Sequence, residues 1–273
     1  MKAKALCHAT AAFALAYLGV LALVALGQRQ LLYHPDPSAL RQAQVVGAET
    51  LALDTPDGER LVAWWMPPPD ARAPVLLYLH GNGANLDNRA LRLQALRQDG
   101  FGVLALSWRG YGGSSGRPSE AGWALDARRA HDELLRRGIA PSRIVLFGES
   151  LGSTHAVMLA AERPVAGLLL DSSFGSALAL AQGAYPLLPV RWLMRDPHRA
   201  DLAAERLADA GRRLPVMQVH CADDPVSPLA HAQALRARLP QPSAWLVLPG
   251  RCHVPSYADY RGPARQFLQG LAR

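Results

Sequence analysis

Short apolar runs and longer helix-like segments alternate along most of the chain. Apolar runs typical of strands buried on both faces of a sheet occur at residues 75–79, 103–108, 143–147, 168–170, 216–219 and 245–248. Helical patterns lie between and after them, at residues 86–98, 120–137, 151–161 and from about 257. This alternation predicts a mostly parallel sheet with helices on both faces.

Two further strands are expected at one edge of the sheet. Segments 50–54 and 60–66 flank Asp57 and Gly58, and an Asp-Gly pair between two short strands is a strong hairpin signal. We therefore expect an antiparallel hairpin there. Ligand sites of such sheets lie at the carboxyl ends of the strands. The residues directly after each apolar run are thus the candidates for chemistry.

The N-terminal segment has a different pattern. Residues 5–27 are apolar and uncharged, long enough to span a bilayer as a helix, and Lys2 and Lys4 precede them. The positive-inside tendency then predicts that the rest of the chain is on the exported side of the membrane. A cleavable secretory signal is the alternative, because residues 25–27 offer a small-x-small cleavage site. Residues 1–30 are thus a predicted membrane anchor or signal peptide.

Composition and charge narrow the classes of function. Half of the residues are hydrophobic, as in ordinary globular proteins. The formal net charge is +7, but arginine pairs such as those at 128–129, 136–137 and 212–213 are scattered instead of gathered in one stripe. Nucleic-acid binding is therefore not predicted. Because the histidines and carboxylates lack the spacing of a ligand set, neither a metal ion nor another cofactor is expected.

A Gly-x-Ser-x-Gly motif directly follows the predicted strand at residues 143–147 and precedes a predicted helix. It runs from Gly148 to Gly152, with Ser150 at its centre. This context is typical of a nucleophile elbow, a sharp turn that exposes a serine hydroxyl. The two glycines keep neighbouring chain from colliding with the turn. Ser150 is therefore the candidate nucleophile, and it needs a base within hydrogen-bond reach.

An acid and a histidine are expected after later strands, in the order Ser, Asp, His. Asp223 and Asp224 follow the strand at 216–219, and His253 follows the last strand. Asp171 also follows a buried strand, and we interpret it as a loop-structuring carboxylate. At this stage Asp223 and Asp224 both remain candidates for the acid.

Backbone N–H groups are expected to form an oxyanion hole. The amide of Leu151 follows the nucleophile, and the loop from His80 to Gly83 closes the strand at 75–79. We expect the second donor to be the amide of Asn82. His80 itself is interpreted as a structural histidine.

Together these motifs resemble the Bem46-like family of membrane-anchored α/β-hydrolases, which is related to lysophospholipid lipases and protein depalmitoylases of the same fold. The matching segments cover essentially the whole chain and are residues 32–35, 80–83, 108–114, 148–152, 171–174 and the loops of Asp224 and His253. The resemblance implies an α/β-hydrolase domain over residues 31–273. It also implies Asp224 as the acid, because the family's acid stands four residues after a histidine that aligns with His220.

A helical cap is expected after the sixth strand, at about residues 175–210. This segment is rich in leucine and aromatic residues and is interrupted by Pro186, Pro189 and Pro197. Its apolar side chains either line an acyl pocket or pack onto the body of the domain.

Two cysteines flank the acid and the histidine. Cys221 and Cys252 follow strands that should be neighbours at one sheet edge, so a disulfide can join the two loops. The alternative is a pair of buried free thiols.

The sequence therefore predicts a serine hydrolase that cleaves carboxylic esters or thioesters of acyl or lipid-like compounds through an acyl-serine intermediate. A serine peptidase of the same fold is one alternative, because the triad does not decide which bond is cleaved. A non-catalytic membrane-bound binding module is the other.

Overall fold

The computed structural model describes residues 2–41, 45, 47–241 and 243–271. It begins with one long helix, α1 (Lys2–Leu32). Residues Leu6–Leu32 are, by length and composition, able to cross a membrane. A signal sequence meets the same criterion, so both interpretations of the N-terminus agree with this helix.

An eight-stranded sheet forms the centre of the body, and a separate parallel pair joins two short strands, β1 and β5. The strands are β1 (His34–Pro35), β2 (Glu49–Asp54), β3 (Arg60–Met66), β4 (Val75–Leu79), β5 (Gly83–Ala84), β6 (Gly102–Leu106), β7 (Ile144–Glu149), β8 (Gly167–Asp171), β9 (Val216–Cys221) and β10 (Ala244–Leu248). The order in the large sheet is β10-β9-β8-β7-β4-β6-β3-β2. Only the β2–β3 and β3–β6 pairs are antiparallel. The predicted mostly parallel sheet with an antiparallel hairpin at one edge is confirmed.

Each face of the sheet carries its own core, because successive side chains of a strand point to opposite faces. On one face, α2 (Ala90–Gln98) and α9 (Tyr257–Gly270) share a core with Leu76 and Tyr78 of β4. On the other face, Leu77 and Leu79 of the same strand share a core with the remaining body helices. These are α3 (Glu120–Arg136), α4 (Leu151–Glu162), α7 (Ala200–Asp209) and α8 (Leu229–Arg236).

A small helical cap follows β8, the sixth strand of the large sheet in chain order. It contains α5 (Ala177–Ala184) and α6 (Val190–Leu193). Within the segment 175–210, α7 differs from these helices, because Ala200, Ala203, Ala204 and Leu207 are buried in the main core. We therefore assign only residues 177–194 to the cap.

A buried aromatic cluster lies between the end of α1 and the body. The rings of Trp108 and Trp123 stack with centroids 4.4 Å apart, and His155 and His198 pack around them. One His198 ring nitrogen lies 2.9 Å from the Tyr33 hydroxyl and the other lies 3.1 Å from Nε2 of His155. Burial lowers the pKa of His198 to about 4.

This low pKa predicts a loss of stability in acid. As the pH falls from 6.5 towards 4, the unfolded chain binds a proton at His198 that the folded chain excludes. The free energy of unfolding then falls by up to about 1.4 kcal/mol per pH unit for this one group. In His198→Asn, which tolerates the φ of 47° at this position, we expect a shallower fall. Urea unfolding of the full chain in detergent at several pH values measures both slopes, and equal slopes would contradict the assignment.

Candidate active site

The predicted nucleophile elbow is a sharp turn between β7 and α4. Ser150 stands between Glu149, the end of the strand, and Leu151, the start of the helix, with φ 49° and ψ −121°. Such a backbone conformation is uncommon for a residue with a side chain and costs on the order of 1–3 kcal/mol. A hydrogen bond of 2.8 Å from the Ser150 amide to the carbonyl oxygen of Asp171 helps to hold it.

Close packing explains both elbow glycines. A Cβ atom built on Gly152 would overlap the carbonyl oxygens of Leu79 and His80, at the end of β4. A Cβ atom on Gly148 would overlap the backbone of Ser153. Without these side chains, the first turn of α4 can lie directly against the loop that follows β4.

Ser150, His253 and Asp224 form a hydrogen-bonded relay. The Ser150 Oγ lies 2.8 Å from His253 Nε2, and His253 Nδ1 lies 2.8 Å and 3.0 Å from the two carboxylate oxygens of Asp224. Because an ionised carboxylate only accepts hydrogen bonds, Nδ1–H donates to Asp224, which leaves Nε2 to accept from the Ser150 hydroxyl. Asp224 is buried, whereas 20% of the His253 side chain is exposed. The structure thus brings together the three residues that the sequence nominated.

The environment of Asp224 distinguishes it from its neighbour. Its Oδ1 also accepts hydrogen bonds of 2.8 Å from the amides of Val226 and Ser227. Burial raises the pKa of Asp224, but the hydrogen bonds from His253 and these amides outweigh burial and lower the pKa below its usual value. Asp223 is exposed, and its amide donates to a backbone carbonyl. Of the two aspartates, Asp224 is therefore the one positioned to hold the histidine.

Asp171, the third aspartate considered, belongs to a buried ion cluster behind the elbow. Arg92 lies 2.7 Å from the carboxylate of Asp171 and 3.5 Å from that of Glu149, and Arg89 lies 2.6 Å from Glu149. Burial raises the pKa of Glu149, but the two arginines outweigh it and lower the pKa to about 2. The cluster fixes the residue just before Ser150. This cluster was not predicted from the sequence, although the two arginines stand three positions apart near the expected oxyanion loop.

A disulfide joins the loops of the acid and the histidine. Cys221 and Cys252 are bonded, with Cα atoms 5.6 Å apart. Cys221 ends β9, in register with Leu248 at the end of the parallel neighbour β10. The bond therefore restrains both Asp224 and His253.

The histidine loop has a second support, which sequence analysis did not assign. The amide of Val254 donates a hydrogen bond of 2.9 Å to the Ser172 hydroxyl. Val254 and Ser172 have positive φ values of 58° and 52°. A positive φ is unusual for a β-branched residue, and strained backbone tends to occur at functional sites. Ser172 is thus a positioning residue for the loop of His253.

The loop after β4 lies against the elbow. A Cβ atom built on Gly81 would come within 3.1 Å of the Ser150 Cβ, so the expected oxyanion loop is in contact with Ser150. Leu151 is the first residue of α4, and its amide therefore has no acceptor within the helix. The loop that contains Asn82 and the first residue of α4 therefore both lie next to Ser150.

The side chain of Asn82 is bound by the segment that leaves α1. Its Nδ2 donates to the carbonyl oxygen of Leu32. Its Oδ1 accepts from the amide of His34 at 3.1 Å and from the Tyr111 hydroxyl at 3.0 Å. Because β1 pairs with β5 directly after Asn82, the oxyanion loop is attached to the end of the N-terminal helix.

His80 has the environment of a structural histidine. It is fully buried, with Nδ1 2.7 Å from the carbonyl oxygen of Gly81. Burial and the nearby Arg89 lower its pKa to about 3, so its ring is neutral. Within the part of the chain that the structure describes, no group of three or more His, Cys, Asp or Glu side chains is arranged to hold a metal ion.

Comparison with known proteins identifies the class. The sequence profile of the α/β hydrolase fold matches residues 74–208. An uncharacterized protein of Mycobacterium tuberculosis is 36% identical over 252 residues, which cover 88% of each chain. The chain belongs to the α/β-hydrolase family.

Relatives within this family include the proteins that the motifs resembled. WAV2 of Arabidopsis thaliana, an α/β hydrolase domain-containing protein, is 35% identical over 64% of this chain and 60% of its own length. The protein bem46 of Schizosaccharomyces pombe is 34% identical over 43% of this chain and 40% of its own length. The resemblance to the Bem46-like group is thereby confirmed.

Solved structures show the same fold at low sequence identity. An esterase of Pyrococcus furiosus superimposes with a TM-score of 0.68 over 88% of this chain and 100% of its own, at 15% identity. A puromycin-hydrolyzing peptidase of M. tuberculosis gives 0.63 over 85% of this chain and 39% of its own, at 18% identity. Esterases and peptidases thus share this architecture.

The packing at Gly152 predicts a sharp contrast between two glycine substitutions. In Gly152→Ala the new methyl group must displace the end of β4, so we expect the free energy of unfolding to fall by about 1–3 kcal/mol. Gly183 in α5 has open space around it. Gly183→Ala should therefore leave that free energy unchanged or raise it by up to about 1 kcal/mol. Urea unfolding compares them, and equal effects would contradict the packing argument.

The disulfide predicts the number of reactive thiols. The chain has three cysteines, and Cys7 is free and exposed. Denatured but unreduced protein purified from an oxidising compartment should therefore react with one equivalent of a thiol reagent, and reduced protein with three. In Cys7→Ser we expect none before reduction. Three reactive thiols before reduction would show that Cys221 and Cys252 are not bonded.

Proposed function

We propose that this protein is a membrane-anchored serine hydrolase that cleaves carboxylic esters or thioesters of acyl or lipid-like compounds. The observation that carries the proposal is the continuous relay from Asp224 through His253 to Ser150, in which both hydrogen bonds are as short as 2.8 Å. Such a relay supplies the base that a serine hydroxyl needs in order to become a nucleophile.

In the proposed acylation step, Ser150 Oγ attacks the carbonyl carbon of the substrate while His253 Nε2 takes the hydroxyl proton. Asp224 stabilises the imidazolium that forms. The amides of Asn82 and Leu151 donate hydrogen bonds that stabilise the negative charge on the carbonyl oxygen. The tetrahedral intermediate then collapses, and the alcohol or thiol leaves with the proton from His253.

In the deacylation step, His253 removes a proton from water, which attacks the acyl-serine. A second tetrahedral intermediate forms at the same two amides and releases the carboxylic acid, while the proton returns to Ser150 Oγ. His253 is the group best placed to act in both steps, because its side chain is partly exposed beside a nearly buried Ser150.

Two other functions use the same fold. A peptidase is the first, supported by the puromycin-hydrolyzing peptidase among the structural neighbours. We favour esters or thioesters over peptides as substrates, because the cap beside α1 is apolar and an apolar surface suits an acyl substituent. A non-catalytic binding module is the second, and the intact relay disfavours it.

We further propose that the hydrolase domain is on the exported side of the membrane. Lys2 and Lys4 precede the apolar helix, which favours a cytoplasmic N-terminus. The bond between Cys221 and Cys252 supports the same side, because disulfides persist in oxidising compartments. Secretion after cleavage of the helix is the alternative.

Substitution of the relay residues tests the mechanism. For Ser150→Ala and Asp224→Asn we expect kcat/KM for p-nitrophenyl esters to fall by roughly 10³-fold or more, because each removes part of the proton relay. Asp223→Asn is the matched control, since Asp223 is exposed and bears the same side chain one position away. It should retain nearly full activity.

The outcomes separate the proposals. Loss of activity in Asp223→Asn but not in Asp224→Asn would overturn the assignment of the acid. Hydrolysis of p-nitroanilides at rates that match the esters would favour the peptidase. A folded wild-type protein that neither turns over esters nor reacts with a fluorophosphonate would favour the binding module.

A further inference from the structure

The N-terminal helix and the cap form one continuous unit. The Tyr17 hydroxyl donates a hydrogen bond of 2.7 Å to the carbonyl oxygen of Leu187 in the cap. Further along α1, Gln28 donates to the carbonyl of Leu193 at 3.0 Å and accepts from the amide of Arg195 at 2.7 Å. The cap therefore runs alongside the half of α1 that is nearer the body.

The position of these contacts along α1 indicates how deep the cap would lie in a bilayer that α1 crosses. Arg29 forms an ion pair of 2.7 Å with the nearly buried Asp196, and such a charged pair belongs outside the hydrocarbon. Tyr17 lies twelve residues before Arg29 in the same helix, which is roughly 18 Å at 1.5 Å per residue. If α1 crosses a bilayer with Arg29 at the surface, Leu187 lies near the middle of a hydrocarbon layer of about 30 Å.

The exposed surface of the cap suits a hydrocarbon environment. Tyr185, Leu187 and Trp192 are 59%, 85% and 84% exposed. Between residues 177 and 194 the one charged residue is Arg191, whose long side chain can reach towards the headgroups. Three large apolar side chains exposed within eight residues, beside an apolar helix, form a patch of the kind found at membrane- or protein-interaction sites.

Several backbone groups of the cap turn have the internal partners that polar groups need in this environment. Pro186 and Pro189 have no N–H group. The amide of Leu188 donates to Tyr185, and the carbonyl of Leu187 accepts from the Tyr17 hydroxyl. This last bond satisfies a carbonyl at the tip of the cap with a side chain of α1.

An apolar cavity of about 370 Å³ lies between the two parts of this unit. Val24 and Leu31 line it from α1, and Ala181, Leu188 and Met194 are among the lining residues from the cap. Its volume falls within the range of about 300–1,000 Å³ that small-molecule pockets occupy. Leu32 is part of its wall, and the carbonyl of Leu32 binds the Asn82 side chain, so the cavity adjoins the oxyanion loop.

We propose that the cap is inserted in the bilayer beside α1 and that the cavity between them binds the acyl chain of a substrate drawn laterally from the membrane. The occupant is a lipid acyl chain because the cavity is apolar, is lined by the proposed membrane-spanning helix and includes Leu32, whose carbonyl binds the side chain of Asn82. The choice of substrate rests on the proposed function, whereas insertion of the cap does not.

Fluorescence of Trp192 tests the insertion. The other five tryptophans lie in the body, four of them buried in its cores and Trp245 in β10. In phosphatidylcholine vesicles, we expect lipids with brominated acyl chains to quench the tryptophan fluorescence of the full-length protein more strongly than that of the Trp192→Phe variant. Identical quenching of the two proteins would overturn the insertion. Quenching of Trp192 that is weak at high protein density and grows as the protein is diluted among lipids would overturn lipid as the neighbour of the cap, because a second copy of the chain would then cover it.

A substitution that fills the cavity tests the acyl site. In Ala181→Trp, the ratio of kcat/KM for palmitoyl to that for butyryl p-nitrophenyl esters should fall roughly ten-fold or more. Gly183→Trp places the same side chain on the same helix in open space, and it should keep the wild-type ratio. Fluorophosphonate labelling of Ser150 reports whether the reactive site is intact in each variant.

The readouts separate the two proposals. An unchanged ratio in Ala181→Trp with normal labelling would overturn the acyl site and leave the hydrolase proposal intact. Absence of labelling in the wild-type protein would overturn the hydrolase and with it the acyl substrate. The quenching experiment decides on the inserted cap in either case, because it needs no catalysis.

Discussion

The first turn of α4 lies directly on the carbonyl oxygens that end β4, and only a glycine at position 152 permits this contact. The remaining geometry of the site depends on it. The contact fixes the position of Leu151, the first residue of α4, relative to the end of β4. It also places the loop of Asn82 against Ser150. The strained backbone of Ser150 is then held from both sides, by the helix and by the carbonyl of Asp171.

From this centre, restraints extend in two directions. On one side, Glu149 and Asp171 are paired with Arg89 and Arg92, so that the buried charge beside Ser150 is compensated. On the other side, Asn82 is bonded to the chain that leaves α1, and α1 is bonded to the cap. A helix that looks like a detachable anchor in the sequence is thus part of the surroundings of the site.

Much of this could be predicted from the sequence, because the signals are local. Strands buried on both faces appear as continuous apolar runs, and the elbow is a five-residue motif with a strand before it and a helix after it. The order of the acid and the histidine follows from strand order, and the neighbouring strands suggested that Cys221 and Cys252 could meet. The choice between Asp223 and Asp224 needed a family resemblance, because adjacent residues share the same local signal.

The features that could not be predicted depend on contacts between segments that are distant in the sequence. Arg89 and Glu149 are sixty residues apart, and nothing local shows that they meet. Ser172 reaches the histidine loop across 82 residues, and Tyr17 reaches the cap across 170. The end of the cap was also not predicted, because the sequence does not show that the apolar face of α7 is buried in the main core and not in the cap.

The claim that Ser150 is the nucleophile can be tested most directly by locating the adduct of a fluorophosphonate. The full chain is labelled in detergent, digested and analysed by mass spectrometry. We expect one modified residue, Ser150, within the peptide that joins β7 to α4. A modification at another serine, such as Ser153 or Ser172, or an unmodified Ser150 in folded protein, would contradict it.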